Sequence, residues 1–375
     1  MRSFKNELKK KLELSQANNY GITNYDEYIF GKYPNLNLFR ANTYKRIKRF
    51  IIRLINTKRT TLIKNQIKLQ NEDLPFIYGD KLQQIYKLLD ARGKNLLIDI
   101  IAYRLLGYRK VKLPRNNMEY WDAIKIGNSL ENKNDMYDPH FMHLALKKVD
   151  LHRIGYDIQF YYSGYGVAID FIIEQYAYKI ENKSVIAVNE GDVVFDLGAC
   201  WGDTALYFAA KTGIQGKVYS FEFIPDNIKL FNKNIDLNPI LKNQIELVEH
   251  PVSNTSDEKI YFLDNGPASR IEFEPFDGYN GIAITTSMDD FVKRNNIQKV
   301  DFIKMDIEGA EELALEGAIE TIKKFKPKLA IAIYHNMNQF VNVPIWINNL
   351  DLGYKLYLEH FSIYTGETVI FAKVV

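Results

Sequence analysis

From about residue 190 onward, short apolar runs alternate with amphipathic stretches. The runs near 193–196, 218–222, 245–249, 301–305 and 328–334 predict strands. The stretches near 203–211, 226–236, 287–295 and 311–324 carry apolar residues at helical spacing and predict helices. Repeating strand–helix units with continuous apolar strands imply a parallel sheet covered on both faces. The end of the chain breaks the rhythm. Tyr354–His360 and Thr368–Val374 both read as strands, joined only by the short turn Ser362–Glu367, and so short a connection requires an antiparallel hairpin.

The pattern upstream is different. Residues 1–40 show weak periodicity and predict no definite structure. In Asn42–Asn56, Ile47, Phe50, Ile51, Leu54 and Ile55 form one apolar stripe, with Lys45, Arg46, Lys48, Arg49 and Arg53 mostly off it. Such a helix lies on an anionic membrane surface or docks on its own domain or a dimer mate. Two helices are predicted within Gly79–Leu113, followed by a basic group, Arg104, Arg109, Lys110, Lys112 and Arg115, that grips substrate phosphates or is a solvated face. Residues 127–150 are polar and turn-rich, which places a boundary near 150 between an N-terminal, mainly helical region (1–150) and a catalytic domain (151–375). His140 and His143 near Asp135 and Asp138 match no metal-binding spacing and read as structural. Tyr156–Tyr178 reads as an aromatic strand, a glycine turn and a helix leading into the domain.

The chemistry centres on Val193–Phe208. A strand ends in Asp196, Gly198 and Gly202 flank a tight loop, and a helix begins near Asp203 and Thr204. The spacing Gly198-Ala-Cys-Trp-Gly202 is neither the dinucleotide fingerprint nor a phosphate loop. An acid directly before the glycines repels a pyrophosphate but suits a cationic ligand. Glu222, at the end of the next strand, is placed to accept both hydroxyls of a ribose. Together these features favour S-adenosylmethionine over NAD, as does the closing hairpin, since nicotinamide-binding sheets normally stay parallel.

Composition narrows the setting. Hydrophobic residues make up 46% and charged residues 25% of the chain, as in soluble globular proteins. The single cysteine, Cys200, cannot form an intramolecular disulfide. The polar, charged start is not a signal peptide and no run is long enough to span a bilayer, so a cytoplasmic location is expected, with peripheral contact to the inner face of the membrane. The net charge of +3 conceals an asymmetry: residues 1–70 hold 16 Lys and Arg against 4 acids, leaving the rest mildly acidic. A basic head on an acidic body points to an anionic contact for the head alone and not to nucleic-acid binding.

With Val300–Glu311 (VDFIKMDIEGAE) in view, the chain resembles the FkbM family of S-adenosylmethionine-dependent methyltransferases. The resemblance is carried by DLGACWGDTALYFA at 196–209, VYSFEFIPDN at 218–227, DFIKMDIEGAEELALEGA at 301–318, KPKLAIAIYH at 326–335, and by His360 and Glu367 of the hairpin. Tyr334 stands where many members carry a Glu. The resemblance implies a class I methyltransferase, Rossmann-like sheet and O-methylation of a sugar hydroxyl, on a nucleotide-linked sugar or a surface-glycan precursor of capsule or lipopolysaccharide type. The competing readings are an NAD-dependent sugar dehydrogenase or epimerase and a non-catalytic module docking a membrane or partner. A homo-oligomer is compatible with all three.

At the carboxyl ends of the strands, Gly198, Cys200, Asp203 and Thr204, with Asp196 beneath, are expected at the methionine half of S-adenosylmethionine. Glu222 is expected at its ribose, and Phe223, Val252 and Ser253 at its adenine. A neutral His335 is the expected general base, oriented by Asp306, which is also the rival base. Glu308 and His360 are expected to contact the acceptor. Asp306, Glu308 and His335 are candidate ligands should a divalent metal take part. Glu311 is expected to open the following helix, where its charge suits the dipole.

Overall fold

The computed structural model describes residues 3–15, 74–141, 144–181, 183–266 and 269–375. The basic amphipathic stretch 42–56, most of the basic head and His143 lie outside the described residues. The chain divides into two compact units.

The smaller unit comprises Met1–Lys87, Lys94–Asn116 and Ile363–Thr365. Among its described residues, helices fall within Phe4–Leu14, Leu74–Leu88 and Ala91–Leu106. The last two are the pair predicted from the apolar spacing. The first is an element that the weak periodicity of residues 1–40 does not announce. It is capped by Ser3, whose hydroxyl accepts from the Asn6 N–H. Phe4 and Leu8 are buried with Leu82, Ile85, Leu97 and Ile101. Lys11 pairs with Asp99 at 2.6 Å.

The larger unit holds everything from Asn117 to Ser362, with Leu88–Gly93 and Gly366–Val375. The break therefore falls after Asn116 rather than near 150. The polar stretch 127–150 is the end of helix Met118–Ser129 and two strands, Glu131–Tyr137 and Leu146–Asp150, of an antiparallel sheet completed by Gln159–Tyr162. Its first strand is largely exposed, which is why it reads as loop.

The core of this unit is a seven-stranded sheet. Numbered in chain order its strands are β1 (Val193–Leu197), β2 (Lys217–Phe221), β3 (Ile245–Val248), β4 (Phe302–Met305), β5 (Lys328–Ala332), β6 (Tyr354–His360) and β7 (Thr368–Val374). Their order is β6-β7-β5-β4-β1-β2-β3. β1 to β5 run parallel, and β7 inserts antiparallel between β5 and β6, with Leu329 opposite Ala372. Phe195, Phe302, Ile303, Leu329 and Phe371 are fully buried, as strands covered on both faces require. This order, with one antiparallel strand near the edge, is the class I methyltransferase sheet.

The order reverses at β1, whose carboxyl edge is where ligands bind in open α/β sheets. The predicted helix over 311–324 is two, Glu311–Glu316 and Ile319–Phe325. Two elements are new. Helix Met337–Asn349 follows β5 and carries Pro344 inside it, and a small antiparallel sheet, Lys259–Leu263 with Arg270–Glu272 and Gly281–Ile284, follows β3. Among the described residues no helix is long and apolar enough to cross a membrane.

Candidate active site

The loop between β1 and helix Asp203–Thr212 is fixed by backbone geometry. Gly198 has φ +82°, and a Cβ there would lie 1.9 Å from the backbone carbonyl of Asp306. The loop is thus pressed against the end of β4, which only glycine allows. Cys200 also adopts positive φ. Its thiol is pushed up by burial, then by Asp203 and Glu222, which disfavours the thiolate.

Lys304 of β4 pins the loop from below. Fully buried, its ammonium donates to the carbonyls of Leu197 (3.2 Å) and Gly198 (2.7 Å) and pairs with Asp196 at 3.1 Å. Burial opposes its charge, but Asp196, Asp306 and Asp203 outweigh that and raise its pKa. Asp196 is itself fully buried, and the Thr204 hydroxyl donates to it at 2.8 Å. Both Asp196 and Thr204 therefore build the loop, and the Thr204 hydroxyl is spent on that task. Lys304 was not anticipated as a site residue, although a lone cation in the apolar run Phe302–Met305 is a visible signal.

Around this cation stand more acids. Asp203 accepts from the Tyr162 hydroxyl at 3.2 Å, and the same hydroxyl donates to Asp170 at 2.7 Å. Asp170 lies in a π-helical stretch, Ala168–Ile173, a distortion often found at functional sites. Burial pushes Asp203 up to about 6 and Asp170 well above the ordinary carboxylate range. At the end of β2, Glu222 accepts from the N–H groups of Phe223 (2.7 Å) and Ile224 (2.8 Å) and from Asn227 (3.2 Å). Burial lifts it to about 7 against those donors. The Phe223 ring packs edge-on against Phe262 of the small inserted sheet. Val252 and Ser253 are buried, bridged to Thr286.

A second group gathers at the ends of β4 and β5. Asp306 accepts from Tyr176 (2.9 Å) and from Tyr334 (3.1 and 3.2 Å). His335 Nε2 lies 3.2 Å from Asp306 and 3.6 Å from Glu308, and Nδ1 lies 3.3 Å from Glu311. Burial disfavours the imidazolium, but Asp306 and Glu311 overcome it and push the ring up to about 11. The two carboxylates thus favour the charged ring, whereas the expected general base is a neutral one. Burial likewise works against the Asp306 carboxylate, yet His335, Lys304 and Tyr176 hold it below its ordinary range. Glu308, half exposed with positive φ, is raised by burial to about 7, as is Glu367, which accepts from Gln175 at 2.7 Å.

Glu311 does open its helix as expected, but its buried carboxylate also faces His335, accepts from the Ile307 N–H (2.9 Å) and is paired with Gln339. His360 is buried in the hairpin. It is 1% exposed, with its ring nitrogens on Thr368 (2.8 Å) and Ser362 (3.4 Å) inside the hairpin. His140 is exposed beside Asp138.

A glycine loop at the reversal point of this sheet, ringed by buried carboxylates, defines a class I methyltransferase fold. Residues 188–356 match the methyltransferase FkbM domain. Among solved structures the chain is similar to methyltransferase FkbM from Methylobacillus flagellatus KT, at 17% identity and a TM-score of 0.48, covering 80% of this chain and 59% of that one. The chain thus spans about three fifths of that protein's length. It is also similar to Aeropyrum pernix fibrillarin with bound S-adenosyl-L-methionine (16%, TM-score 0.33, covering 50% of this chain and 69% of that one). A third is a SAM-dependent O-methyltransferase from Thermotoga maritima (16%, TM-score 0.31, covering 50% and 61%). A search of curated proteins finds no significant match.

Proposed function

We propose that the chain is an S-adenosylmethionine-dependent O-methyltransferase whose acceptor is a sugar hydroxyl, on a nucleotide-linked sugar or a surface-glycan precursor. The observation that carries the donor is the charge of the ring. Asp170, Asp196, Asp203, Glu222, Asp306 and Glu367 are buried or half-buried against two cations, Lys304 and His335. A nearby positive charge favours the ionised form of these buried carboxyls, so the edge suits a positively charged donor and disfavours the pyrophosphate of a dinucleotide. The residues present fit such a donor, which when bound supplies a methyl group on a sulfonium.

The loop from Gly198 to Asp203 would hold its methionine end, with Asp196, Thr204 and Lys304 keeping the loop in place. Glu222 keeps lone pairs for ribose hydroxyls beyond its backbone donors, and Phe223, Val252 and Ser253 would wall the adenine. On the acceptor side, transfer needs the nucleophilic oxygen placed in line and its proton removed as the bond forms. Asp306, clamped by two tyrosines and His335, orients the hydroxyl. Glu308, with a pKa of about 7 and an exposed edge, takes its proton. The sugar itself comes from the family resemblance.

Isothermal calorimetry with S-adenosylmethionine and S-adenosylhomocysteine tests the donor. Saturable binding of both, and none of NADH, is expected; no affinity for either sulfur compound overturns the proposal. A screen of nucleotide sugars and glycan fragments for donor-dependent gain of one methyl group then identifies the acceptor.

A further inference from the structure

We propose that Asp306, Glu311 and His335 form a binding site for a divalent metal ion. The three arrive from separate elements: the end of β4, the first turn of helix Glu311–Glu316 and the end of β5. One ligand atom from each lies within 4.8 Å of the other two, a separation that a single coordinated ion can span.

Two observations distinguish this cluster from an ordinary group of acids. The His335 side chain is 9% exposed and lies within ion-pair distance of Asp306 and Glu311, yet neither ring nitrogen makes an aligned hydrogen bond, so an ion between the three would complete their contacts. The Gln339 amide oxygen beside Glu311 is also buried without a partner. Buried polar atoms left unpaired are costly and call for a missing partner.

The carboxylates are also held as metal ligands usually are. Asp306 is fixed by the hydroxyls of Tyr176 and Tyr334, and Glu311 by the Ile307 N–H and Gln339. Neutral donors of this kind set carboxylate orientation and leave further lone pairs for an ion. Two carboxylates with one imidazole suit Mn²⁺ or Mg²⁺, with coordination positions left for water or a substrate oxygen. Coordination takes the place of a ring proton, so binding tightens as pH rises. None of this depends on the methyl donor.

The test uses the full chain, stripped with chelator and dialysed, then titrated with Mn²⁺ while free ion is read by electron paramagnetic resonance. One ion per chain is expected. Asp306→Asn and His335→Gln should each raise the Kd about tenfold or more, while the surface control Glu320→Gln leaves it unchanged. Circular dichroism checks folding; should either variant fail to fold, Glu311→Gln takes its place. No stoichiometric binding by the wild type, or equal affinity in folded variants, overturns the site. Donor binding measured in chelator stands or falls separately.

Discussion

Gly198 shows how one residue can fix a site. Any side chain there meets the Asp306 carbonyl in a backbone conformation that already disfavours it. Gly198→Ala should cost about 2–4 kcal/mol in urea denaturation. Lys304 is the complement: Lys304→Met leaves Asp196 buried without its cation, and should cost about 3–5 kcal/mol. The glycine was legible from its motif because strand, loop and helix are local. The lysine's partners lie a hundred residues away, so its presence was legible and its task was not. Glu311 is subtler, since its expected place in a first turn is right and only the fold reveals His335 beside it. Glu222 carries a pH prediction. In its proposed role its ionised form accepts ribose hydroxyls best, and burial lifts it to about 7. Affinity for S-adenosylhomocysteine should therefore rise with pH through about 7, and calorimetry on Glu222→Gln should find that slope gone.

At the scale of elements, the parallel strands and the closing hairpin were readable because apolar runs and a short turn are properties of contiguous sequence. Helix Met337–Asn349 was not, since Pro344 sits where a proline ordinarily ends a helix. The π-helical stretch was also hidden, because its extra residue per turn answers to tertiary contacts rather than to local pattern. Three element ends meet at His335, and that meeting has a pH signature. The ring's pKa is raised on folding, so its contribution is complete below the unfolded value of about 6.5 and is lost as pH climbs toward about 11. The thermal midpoint of the wild type should fall from neutral to alkaline pH more steeply than that of His335→Gln, since the other lysines and tyrosines titrate in both. Equal slopes would mean that the ring is not held as a cation.

Across the whole molecule the distribution of charge is uneven in a way that local structure does not explain. The acidic body has a proposed use for its carboxylates at the sheet edge. Residues 42–56 concentrate Lys45, Arg46, Lys48, Arg49 and Arg53 beside an apolar stripe, a combination suited to an anionic bilayer surface. Each basic side chain near such a surface is worth about 1 kcal/mol, screened by salt. The full chain should therefore sediment with phosphatidylserine vesicles, not with neutral ones, and should be released as ionic strength rises. Replacing those five residues by Gln should abolish sedimentation while methyl transfer by the larger unit persists. If the substituted protein sediments as before, the stripe is packed within the protein and the head meets some other partner. If transfer is lost with sedimentation, the head serves the reaction itself by presenting a membrane-linked acceptor.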